Sequence, residues 1–153
     1  MWDELSDFSA KMEKAKMETE SNKIDRPCKV LLVEDNQQLL TTLVDFLSHM
    51  NYNVVSASDG LQGLKLLETE TEGFDLVVTD LVMPKISGNY LIQIIKKKFP
   101  KLPVIAITGW GQYPEAFARE TQADKVLEKP FELPELDNAI TDLLHPKTQK
   151  IKT

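Results

Sequence analysis

Residues 29–36 read Lys29-Val30-Leu31-Leu32-Val33-Glu34-Asp35-Asn36, an unbroken apolar run that stops on two acids and an amide. A strand with one wet face would alternate apolar and polar residues. Four apolar residues in a row instead fit a strand covered on both faces. Asn36 is a good helix N-cap, and Leu39, Leu40, Leu43, Val44 and Leu47 follow at helical spacing, with an end expected near Met50–Asn51. A buried strand feeding directly into an amphipathic helix is the first half of a parallel crossover unit.

The same alternation continues to the end of the chain. Val54–Ala57 reads as a second strand, and Asp59-Gly60 leads into a helix carrying Leu61, Leu64, Leu66 and Leu67, expected to stop around Gly73. Leu76–Thr79 is a third strand closing on Asp80, followed after Pro84 and Gly88 by a helix from Asn89 to Phe99. Pro103–Thr108 is a fourth strand, a looser helical segment is expected around Pro114–Glu120, and Lys125–Glu128 is a short fifth strand. Pro134 suits the first turn of a last helix that runs through Leu144 and is ended by Pro146. The expected fold is therefore α/β, a five-stranded parallel sheet, doubly wound, with helices on both faces.

This domain occupies residues 29–145. Residues 1–28 form a polar extension in which Trp2, Leu5, Phe8, Met12 and Ala15 would share one stripe of an amphipathic helix, with Ser21 through Pro27 as linker. Residues 146–153 are a basic tail. The extension carries a net charge of −2, the domain through Pro146 carries −7, and Lys147, Lys150 and Lys152 give the tail +3. An acidic domain is poorly suited to neutralise phosphates, so no nucleic-acid partner is expected. The cluster Lys96-Lys97-Lys98 reads as a solvated helix end. No apolar run is long enough for a membrane span, and the acidic amino terminus is unlike a secretory signal. The single cysteine, Cys28, suits a reducing cytoplasm, which is the expected location. His49 and His145 read as helix-end residues rather than ligands or phosphorelay histidines.

In open parallel sheets, ligands gather at the carboxyl ends of the strands. The residues at those ends are Glu34, Asp35, Asp80, Thr108 and Lys129. Three carboxylates in one crevice repel, and a hard divalent cation removes the conflict. The expected magnesium ligands are Asp35 and Asp80 directly, Glu34 through a water, and the backbone carbonyl of Val82. Asp80 is the expected nucleophile, because carboxylates form aspartyl-phosphates. Lys129 would meet one equatorial phosphoryl oxygen as an ammonium point charge, and Thr108 would hydrogen-bond another.

The set Glu34-Asp35, Asp80 followed by Met83-Pro84 and Gly88, Thr108-Gly109 and Lys129-Pro130-Phe131 resembles the receiver domain of bacterial response regulators. The resemblance covers roughly Lys29 to Leu144. It implies a flavodoxin-like fold, magnesium dependence, a cis peptide between Lys129 and Pro130, and phosphoryl transfer from a histidine kinase or histidine phosphotransfer protein to Asp80. Output would pass through protein–protein contacts to a downstream protein target, with a dimer as one arrangement, since the chain leaves no room for an output domain. It implies a signalling module rather than an enzyme, free-standing or part of a hybrid histidine kinase. Two departures from the family's pattern stand out. Val126 occupies a position that is commonly aromatic, and Val82 and Trp110 place apolar side chains two residues beyond Asp80 and Thr108. Two other functions remain open at this point: a pseudo-receiver scaffold that never takes phosphate, and an aspartyl-phosphate phosphatase.

Overall fold

Val30, Leu31, Leu32 and Val33 are fully buried, and they divide alternately between two separate apolar clusters. That division is the physical content of a strand covered on both faces. A computed structural model of the chain describes residues 26–109 and 121–145. The strands are β1 (Lys29–Val33), β2 (Asn53–Ala57), β3 (Leu76–Asp80), β4 (Val104–Thr108) and β5 (Lys125–Glu128). The helices among the described residues are α1 (Gln37–His49), α2 (Gly60–Thr69), α3 (Gly88–Lys98) and α4 (Leu133–Leu144). The sheet order is β2-β1-β3-β4-β5, and every pair is parallel. This is the expected flavodoxin-like arrangement, in which the order reverses beside β1 and opens a crevice between β1 and β3.

One face of the sheet presents Val30, Leu32, Leu76, Val78, Ile105 and Ile107 to α1 and α4. The other presents Leu31, Val33, Val77, Val104 and Ala106 to α2 and α3. Each fully buried aliphatic side chain stabilises the fold by about 1.5–3 kcal/mol relative to exposure. The two edge strands are far less buried than the three central ones, so the core follows β1, β3 and β4.

Local signals account for most element boundaries. The side chain of Asn36 accepts the N–H of Leu39, and Asn51 ends the α1 turn at φ 68°. Asp59 caps α2 by accepting the N–H of Gln62 at 2.8 Å. Helix α2 stops at Thr69, earlier than Gly73 would indicate. Its last buried residue is Leu67, and Glu70 is already extended, sending its carboxylate to the Lys29 ammonium beneath β1. Gly73 serves the next turn instead, at φ 73°. The lysines ending α3 are partly paired rather than wholly solvated: Lys96 meets Asp124 at 2.6 Å and Lys98 meets Glu68 at 3.1 Å. The ring nitrogen Nδ1 of His49 lies 2.8 Å from the Asp45 carbonyl, one turn back on its own helix. The extension 1–25, the segment around Pro114–Glu120, Trp110 and the tail 146–153 lie outside the described residues.

Gly88 opens α3 directly beneath the end of β3. Its N–H donates to the Leu81 carbonyl at 3.0 Å, and a Cβ at this position would lie 2.0 Å from the Asp80 carbonyl oxygen and 2.6 Å from Leu81 Cα. Both obstacles are backbone, which cannot swing aside as a side chain can. Alanine would gain about 1 kcal/mol of helix propensity in an open helix. Here overpacking, which costs about 1–3 kcal/mol or more, outweighs it. We therefore expect Gly88→Ala to lower the urea midpoint at unchanged slope. An unchanged or raised midpoint would show that the loop yields freely.

Candidate phosphoacceptor site

The residues expected at the strand ends do converge. Glu34 follows β1, Asp80 ends β3, Thr108 ends β4 and Lys129 follows β5. Register places them together: Val33 pairs with Thr79, Asp80 with Ile107 and Thr108 with Glu128, so each acts one rung from its neighbour. One carboxylate oxygen from each of Glu34, Asp35 and Asp80 lies within 4.8 Å of the others. Glu34 and Asp80 are buried, whereas Asp35 is exposed at the mouth.

The Lys129 ammonium stands between the two buried acids, 3.1 Å from Asp80 Oδ2 and 3.5 Å from Glu34 Oε1. The backbone holds the opposite oxygens. Val82 N–H donates to Asp80 Oδ1 at 3.1 Å, and Asn36 N–H donates to Glu34 Oε2 at 3.0 Å. Thr108 is buried, and its hydroxyl donates to the Gly109 carbonyl across 3.4 Å, a long and weak bond. The backbone N–H of Lys129 donates to the Thr108 carbonyl at 2.8 Å, and the Lys129–Pro130 peptide is cis. Val82 is exposed beside the site.

Burial pushes the Glu34 carboxyl up from 4.5 to about 7, with the Asp80 charge adding to the effect and the Asn36 N–H and Lys129 opposing it. Burial alone would depress the Lys129 ammonium, but its hydrogen bond and charge pairing with Asp80, then with Glu34, leave it raised. Three hard oxygen donors converging around one point, one of them hard to ionise without a further positive charge, fit a magnesium ion well.

The chain matches the response regulator receiver domain over residues 30–141. It belongs to that family. Over 120 residues it is 38% identical to the transcriptional regulatory protein GlrR of Escherichia coli, covering 78% of this chain and 27% of that protein. It is 34% identical over 118 residues to the sensor kinase CckA of Brucella abortus, covering 75% of this chain and 12% of that protein. A receiver domain crystal structure from Clostridium thermocellum superposes with a TM-score of 0.72 at 30% identity, covering 78% of this chain and 95% of that one. The chain thus spans only part of the curated relatives it matches, from 12% of the sensor kinase to about half of others. One of these is named a transcriptional regulator, so the acidity of the receiver gives no ground for excluding nucleic acid from a whole protein's partners. No helix among the described residues is long and apolar enough to cross a membrane.

Sequence reading located the acids, the threonine and the lysine, but not the two backbone donors at Val82 and Asn36. It also missed that Lys129 bridges both buried acids. Backbone N–H groups carry no residue-type signal, and a bridge across 95 residues leaves no spacing to read.

Glu34 sets a pH dependence for the metal-free receiver. Its folded-state carboxyl titrates higher than its unfolded one, so between about 4.5 and 7 the native state holds the extra proton. Stability falls with rising pH wherever the native state binds more protons. Glu34's share of stability is therefore present at pH 4.5 and lost as pH rises through 7. Thermal melts without divalent ions should show this decline, and Glu34→Gln should flatten it. An equally steep decline in Glu34→Gln would assign it to another group.

Proposed function

We propose that Asp80 accepts a phosphoryl group from a phosphohistidine on a histidine kinase or histidine phosphotransfer protein, with magnesium held by Glu34, Asp35, Asp80 and the Val82 carbonyl. The observation that carries this reading is the placement of the Lys129 ammonium 3.1 Å from a buried Asp80 carboxylate, within a trio of acids sharing a 4.8 Å neighbourhood. A bound magnesium supplies charge neutralisation between acceptor and phosphoryl group.

The chain's own residues then divide the remaining work. An Asp80 oxygen forms the new P–O bond as the P–N bond to the donor imidazole breaks, and the imidazole nitrogen keeps the electron pair. The Val82 N–H holds Asp80 through Oδ1, which fixes the direction of the carboxylate. Lys129 already faces Asp80 and exchanges part of that contact for a phosphoryl oxygen. Thr108 gives up only a 3.4 Å bond when its hydroxyl turns to a third oxygen, so the rearrangement is cheap. Phosphorylation adds nearly two negative charges and strong acceptors at this point, drawing Thr108 and its loop inward. Output passes to a protein partner. The relatives place such a module both in a named transcriptional regulator and in a named sensor kinase, so either context suits this receiver.

Intact mass after incubation with acetyl phosphate and magnesium should show one added phosphate in the wild-type protein and none in Asp80→Asn. Equal labelling of both would move the acceptor elsewhere. Lys129→Met separates two roles. Removing the cation beside Glu34 and Asp80 should tighten magnesium binding in calorimetry by about tenfold, the order expected for one charge at a partly solvated site. The same variant should label more slowly. Weaker magnesium binding would show that Lys129 does not compete for the acids.

A further inference from the structure

The apolar layer between the sheet, α1 and α4 is left partly open at the end of the sheet opposite the acids. Phe46, Tyr52, Leu143 and Leu144 pack on the core there yet are only half-buried, and Met50 is 43% exposed. They come from the carboxyl ends of α1 and α4, both of which run down to this foot. Tyr52 ties the two sides together: its hydroxyl donates to Asp137 at 2.7 Å, and Leu144 lies two turns further along the same face of α4. The described chain enters beside this patch, since the Cys28 carbonyl accepts the N–H of Asn53, next to Tyr52, at 2.8 Å.

We propose that residues 2–15 cover this foot, laying Trp2, Leu5, Phe8, Met12 and Ala15 against Phe46, Met50, Tyr52, Leu143 and Leu144. Three observations favour this occupant. The five apolar residues share one helical stripe, and a stripe of that length has nothing to bury against alone. Residues 16–25 connect it to Arg26 and, extended, span at most about 33 Å, ample to reach a patch adjoining Cys28. The tether places the stripe at a millimolar effective concentration, whereas a second copy must associate from dilute solution. The proposal stands apart from the chemistry at Asp80, because its residues lie at the other end of the strands.

Hydrogen exchange on the full chain tests it. Phe8→Asp should release the cover and speed exchange of the amides at 46–50 and 141–144 by about tenfold or more, the scale of one buried aromatic side chain. Ala10→Asp adds the same charge on the opposite side of the stripe and should leave those amides unchanged. Met50→Asp should reproduce the Phe8→Asp release at 141–144 from the other side of the contact. Identical exchange in wild type and Phe8→Asp would overturn the proposal. Wild-type protection that disappears on dilution, with a dimer in sedimentation, would overturn it in favour of a second copy.

Discussion

Parallel pairing brings the carboxyl ends of β1 and β3 side by side, and in this chain both ends carry acids. Glu34 and Asp80 are almost fully removed from water, and Asp35 stands within reach of both. Like charges so close in a poorly hydrated crevice cannot all ionise without compensation. The fold answers with Lys129, delivered by the end of β5, and with two backbone N–H groups. The site is therefore organised by an unfavourable term that the surrounding elements hold in check. A group kept from its preferred ionisation, as Glu34 is, retains affinity for an incoming cation.

The same arrangement explains why the two halves of the molecule differ in character. At the acidic end, strand ends and loops converge on polar atoms held by hydrogen bonds of 3.0–3.5 Å, and Gly88 brings the start of α3 against the Asp80 backbone. At the opposite end the chain enters, α1 and α4 finish, and contacts are apolar or ion-paired, as with Lys29 and Glu70, Arg26 and Asp75. Chemistry at one end can thus be tuned without disturbing the covering of the other, because the fully buried strands between them act as a rigid spacer.

Much of this was legible in the sequence because the governing patterns are local or strictly periodic. The run Val30–Val33 announced a strand buried on both faces, and Asn36, Asp59 and Pro134 marked helix starts where the structure has them. Glu34, Asp80, Thr108 and Lys129 were found because strand ends are where such sheets gather function. Boundaries were less legible where glycine competed with burial: Gly73 drew the expected end of α2 past Thr69, where apolar contact had already run out. The pairing of Lys96 with Asp124 was hidden because it spans β4 and depends on where α3 lands. Three-dimensional bridges of this kind leave no period in the chain.

Val126 sharpens the question of how a phosphorylated Asp80 would be felt elsewhere. It is 37% exposed on β5, in register with Ala106, and a valine has no ring to exchange between inward and outward positions. The fifth strand is nevertheless joined to Thr108 by backbone. Lys129 N–H donates to the Thr108 carbonyl, and Thr108 is in register with Glu128. If Thr108 and the Lys129 side chain are drawn together by one phosphoryl group, the end of β4 and the end of β5 must shift as a pair. Motion would then reach the β5 edge and the start of α4 through the ladder itself. Such a shift is smaller than a ring flip. Its direction would follow the hydrogen bonds that join the two strands, so a phosphoryl group on Asp80 would not need an aromatic residue at position 126 to be felt there.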